Sequence, residues 1–171
     1  MAHAILRLDN VQATQDNSLM RSGLFYTTVN STDTLTDIDN GMPVEVGALI
    51  TGERELRKLT AASATPTVLG ITSTPEVDSL GSNSDTDGTN LINFYNKAGH
   101  AVRVHLLQAG DIFSVSADAC GTAPTVGQGV AISSGKWSGA SSGTLGTCIA
   151  IDVVGGVNLY VIEIGTDKVN Q

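Results

Sequence analysis

Two apolar runs, Leu145–Val154 and Val157–Ile164, are separated only by Gly155-Gly156. A Gly-Gly pair supplies the positive φ angles of a tight turn, so the segment predicts an antiparallel hairpin. Similar punctuation recurs along the chain. Leu24–Val29, Val44–Val46, Ala48–Thr51, Thr67–Thr72, Ala101–Leu107, Ile112–Val115 and Gly129–Ile132 are short strand-forming runs, separated by turn residues such as Gly47, Gly52 and Gly110-Asp111. In Ala101–Leu107, Val102, Val104 and Leu106 share one face while Arg103 and His105 share the other, the period-2 pattern of a half-buried strand. Nowhere does an apolar stripe of helical period run for three turns. The chain is therefore expected to be all-β, with short antiparallel strands closed into a single β-barrel or β-sandwich. Residues 23–171 form the expected domain. Residues 1–22 are polar, turn-rich and weakly patterned, and are expected to form an extended N-terminal arm.

The chain has 171 residues, enough for a core without metal or disulfide staples. Only 15% of residues are charged and 41% are hydrophobic, which argues against disorder. Nine Lys and Arg against seventeen Asp and Glu give a formal charge of −8. So acidic a chain is not expected to bind nucleic acid or an anionic membrane surface, since both need a broad basic face. No apolar run approaches the length of a membrane span. The start, Met1 to Asp9, lacks the basic and apolar regions of a signal peptide, so synthesis in a cytoplasm is expected. Cys120 and Cys148 should then stay reduced, as two buried small hydrophobes.

Tests for chemistry are negative. Gly139-Ala140-Ser141-Ser142-Gly143 spells a nucleophile-elbow motif, but it sits in a Ser/Gly loop with a strand after it instead of a helix. Asn83, Asp85, Asp87 and Gly88 imitate half of a calcium loop, yet the closing ligand position is Phe94. His3, His100 and His105 lack the further ligands that zinc needs. Arg21-Ser22-Gly23-Leu24 resembles one short motif of trimeric dUTP pyrophosphatases, whose other motifs have no counterpart here. No phosphate loop or dinucleotide fingerprint is present. No enzyme activity, cofactor or metal is expected.

Two longer strings point elsewhere. Asp37-Ile38-Asp39-Asn40-Gly41 runs into Val44–Leu49 and then Gly52–Leu56, and Asn96–Arg103 continues to Leu106–Ser116. Together they resemble the head decoration, or capsid cement, proteins of tailed bacteriophages. The resemblance implies a structural virion protein, made in the host bacterial cytoplasm, that binds the outside of an assembled capsid and reinforces it. It also implies the major capsid protein as partner and a symmetric homo-oligomer, a trimer in preference to a dimer. No catalytic or cofactor residues follow from it.

The contact with the shell is expected at Glu53-Arg54-Glu55-Leu56-Arg57-Lys58, where Arg54, Arg57 and Lys58 concentrate positive charge in an acidic chain. The competing reading of this segment is a solvated edge strand whose charges guard against aggregation. The arm is expected to add to a neighbour's sheet edge through main-chain hydrogen bonds, so that its deletion leaves the barrel folded. A host- or carbohydrate-binding module, such as a head fibre or adhesin base, is the alternative function. Trp137 is its candidate sugar platform, against a reading as a packed loop anchor. A small β-barrel enzyme is a third class.

Overall fold

A computed structural model describes residues 3–75 and 94–165. Strand accounts for 54% and helix for 6%, so the chain is all-β. The strands are β1 (Leu6–Asn10), β2 (Met20–Val29), β3 (Thr32–Leu35), β4 (Pro43–Leu49), β5 (Leu56–Ala61), β6 (Leu69–Thr72) and β7 (Val102–Leu106). They continue with β8 (Ile112–Ser116), β9 (Cys120–Thr122), β10 (Gly129–Ser133), β11 (Lys136–Ala140), β12 (Gly146–Val154) and β13 (Val157–Ile164).

Five strands close into a barrel in the order β2-β5-β4-β6-β7, with β7 returning to β2, and β3 pairs with the far end of β2. The remaining seven form a second sheet in the order β1-β8-β13-β12-β10-β11-β9. Most pairs are antiparallel, as expected, but β2 with β5 and β11 with β9 run parallel. Gly23 permits the first of these. A β-carbon there would collide with the Arg57 carbonyl and with Leu59, so only glycine lets β2 approach β5 this closely. Val44, Val46, Leu59, Val102 and Val104 belong to one buried cluster. Leu69, Ile71 and Leu107 instead join Phe113, Val115, Trp137, Cys148 and Ile162 in a second cluster, which binds the barrel to the seven-stranded sheet.

The Gly-Gly hairpin forms as its sequence predicts. Gly155 and Gly156 have φ of 59° and 83°, and β12 pairs with β13 from Gly146↔Ile164 to Val154↔Val157. Cys120 and Cys148 are buried and free.

The N-terminal segment is not an arm. β1 pairs with β8, and Ala4, Val11 and Ala13 are buried. The Asp39 carboxylate accepts from His3 Nδ1 (2.6 Å) and the Ala4 amide (3.1 Å), and Asp111 accepts from the Gln12 amide (2.8 Å). The expected boundary at residue 22 falls inside β2, which begins at Met20. The apolar pattern misled because much of the burial here belongs to single small residues, and the ties reach distant carboxylates.

Three local expectations also change. β5 is not an edge strand, because β2 and β4 flank it on both sides. His105 is buried instead of facing solvent with Arg103, and the short helical turn Gln12–Thr14 packs against β7. Trp137 lies in strand β11 and not in a loop. The polar segment 78–90 and the calcium-like residues Asn83, Asp85, Asp87 and Gly88 lie outside the described residues.

Candidate functional site

The two strings that carry the family resemblance meet in space. Ile38 and Asn96 form a β-bridge, the Ala98 amide donates to Asp37 (2.8 Å), and Asn96 Nδ2 donates to Asn40 Oδ1 (3.2 Å). Asn40 in turn bonds the Thr74 backbone in both directions, at 2.8 and 3.0 Å. A buried polar network of this kind is stable only when its members are satisfied. These residues therefore hold the two strings together as a structural junction.

The cationic segment is the better candidate. The chain turns after β4 at Gly52, whose φ of 88° suits a residue without a β-carbon, and re-enters the barrel at Leu56. The Ile50 amide donates to the Leu56 carbonyl and the Glu53 amide to the Ile50 carbonyl, which holds Arg54 out at the tip. Register then brings three strands to the same end of the barrel: Ser22 is level with both Leu56 and Arg103, and Gly23 is level with Arg57. Arg21, Arg54, Arg57 and Arg103 consequently line one depression of about 480 Å³, together with Met20, Ser22, Leu49 and Glu55. Arg21 and Arg57 also line an adjoining depression of about 370 Å³, with Val46, Val68 and Leu106.

Two of the four arginines are anchored. Arg21 Nη1 donates to the Met20 carbonyl (2.8 Å) and to the Ser18 carbonyl, and Arg57 Nη1 donates to the Gly47 carbonyl (3.1 Å). Arg54 and Arg103 are exposed. Lys58 does not join them. Alternation along β5 turns it to the opposite side of the strand, where its Nζ meets Asp33 at 2.5 Å and lies 5.9 Å from the centre of the Tyr26 ring. The expected trio thus separates: Arg54 and Arg57 share the site, and Lys58 ties β5 to β3. Arg21 and Arg103 were missed because they lie far away in sequence; their only early signal was an arginine near a strand start.

Other candidate residues are engaged structurally. Trp137 is fully buried, and Nε1 donates to the Gly41 carbonyl at 2.8 Å. His3 stacks on Tyr95 with ring centres 4.8 Å apart. His105 is buried with Nδ1 unpartnered, and burial, with a smaller contribution from the Arg103 charge, holds its pKa down. Gly139 and Ala140 end β11, and no helix follows the motif serine. Among the described residues no three His, Cys, Asp or Glu side chains converge as a metal site. No described helix is long and apolar enough to cross a membrane.

Comparison with protein-family models, curated proteins and solved structures finds no match for this chain.

Proposed function

We propose that this chain is a structural virion protein that attaches to the outer surface of a tailed-phage capsid and reinforces the shell. The observation that carries the reading is the arginine-lined depression at the end of the barrel. Four cations gathered on an acidic body form an interaction surface for a complementary, acidic partner surface. The resemblance of the Asp37–Leu56 and Asn96–Ser116 segments to head decoration proteins supplies the class of that partner, the major capsid protein. It also favours a homotrimer over a dimer, because closed oligomers match the local symmetry axes of a shell.

The alternative, a host- or carbohydrate-binding module, loses its main support. Its aromatic platform was Trp137, which the core encloses. A catalytic reading gains none from the described side chains.

The test is co-sedimentation with cognate capsids stripped of accessory proteins, followed by particle reconstruction. Saturable binding in fixed stoichiometry, with density at local symmetry axes, is the expected result. A chain that stays in the supernatant at saturating concentration, or sits as isolated monomers off the symmetry axes, defeats the proposal.

A further inference from the structure

The ion pairs among the described residues use His3, Arg7 or Lys58 as the cation. None uses Arg21, Arg54, Arg57 or Arg103, although acids outnumber bases seventeen to nine in the chain. Glu55 shares the depression without an ion pair to any of them. Like charges gathered around one depression repel, and more strongly near a low-dielectric surface than in bulk water. The fold tolerates this arrangement, and through carbonyl bonds it pre-orders Arg21 and Arg57 before any ligand arrives.

We infer that the depression is a carboxylate-binding cleft whose occupant is an acidic peptide segment of the partner protein. That the partner is a capsid protein rests on the function proposed above; the carboxylate chemistry does not. A guanidinium grips a carboxylate through two parallel hydrogen bonds, which a lysine cannot do. The cleft of about 480 Å³ falls in the usual range for sites that enclose a small group or a few side chains. Met20 and Leu49 in its wall give the methylenes of Glu or Asp an apolar surface. A nucleic acid would need a continuous cationic track, and the −8 charge of the chain repels it beyond this one spot.

The experiment is calorimetric titration of the full chain with a hexaglutamate peptide, with inorganic phosphate and with a short single-stranded oligodeoxynucleotide, at low and high salt. Saturable peptide binding is expected to weaken with salt and to fall by ~10-fold or more in the Arg54→Ala, Arg103→Ala double variant. Both side chains are exposed and make no ion pair among the described residues, so the thermal midpoint should not fall, and Lys58→Ala should bind as the parent does. Three results overturn the inference: no saturable peptide binding, equal binding by the double variant, or tighter binding of phosphate or the oligonucleotide than of the peptide. A chain that decorates capsids but ignores the peptide removes the cleft and spares the capsid reading. Arginine-dependent peptide binding by a chain that ignores capsids does the reverse.

Discussion

The indole Nε1–H of Trp137 donates a 2.8 Å hydrogen bond to the carbonyl oxygen of Gly41, 96 residues earlier, and so ties β11 of the seven-stranded sheet to the entry of barrel strand β4. Gly41 has φ of 81°, and a β-carbon there would press on Val115 Cγ1 at 3.1 Å. The ring also packs against Phe113, centre to centre at 5.1 Å. Trp137→Phe keeps most of the packing but leaves a buried carbonyl without its donor, at a cost of about 1–3 kcal/mol. Trp137→Ala adds a cavity and should cost about 3–5 kcal/mol. Urea midpoints with unchanged slope are the measurement.

Deleting residues 1–10 should unfold the protein or lower its stability by on the order of 4 kcal/mol, at about 1 kcal/mol for each lost main-chain bond. The reason is that β1 pairs with β8 at Leu6, Arg7, Leu8 and Asn10, and Asp39 anchors His3 and Ala4. A truncated chain with the parental melting curve would show that this edge contributes nothing.

Arg54→Ala with Arg57→Ala should weaken capsid binding by about 2–5 kcal/mol if the cations are desolvated in the contact, against under ~1 kcal/mol for rim charges. The loss should shrink as salt rises. Lys58→Ala should leave capsid occupancy unchanged, because Lys58 serves Asp33 on the other side of β5. Equal losses from both variants would assign the contact to the whole strand.

Stability should fall as pH drops from about 7 toward 5. His105 is held neutral in the fold, with its pKa below the ordinary value of 6.5, so below that value the unfolded chain takes up the proton more readily. This contribution is present above the unfolded pKa and is lost as pH falls through the folded one. Thermal midpoints across this range should decline less steeply for His105→Leu than for the parent. Identical slopes would show that His105 ionises as freely in the fold as in the unfolded chain.

Cys120 should resist thiol reagents at pH 8. Burial, reinforced by the neighbouring Cys148, pushes its pKa up to about 11 from 9.0, so the thiolate is scarce. Labelling by a disulfide reagent should be slow in the native protein and fast in denaturant. The raised pKa also has a stability consequence. Above about pH 9 the unfolded chain ionises first, so the native state loses stability as pH climbs toward 11. Rapid native-state labelling of Cys120 would contradict this.

The strand class, the β12–β13 hairpin and the alternating core of Val102, Val104 and Leu106 were legible in the sequence alone. They depend on local period and turn chemistry, and the two glycines at 155 and 156 have few other uses. The concentration of charge at Arg54 and Arg57 could be seen in the same way, because those residues are neighbours in sequence. Tertiary structure alone decided the rest. It made the polar N-terminus a strand by supplying Asp39, Asp111 and the edge of β8, and it buried Trp137 and His105. It also brought Arg21 and Arg103 beside Arg54 and Arg57 while turning Lys58 away. Each of these outcomes follows from pairing register and closure of the barrel. Register and closure are set by contacts tens of residues apart, which no local pattern encodes.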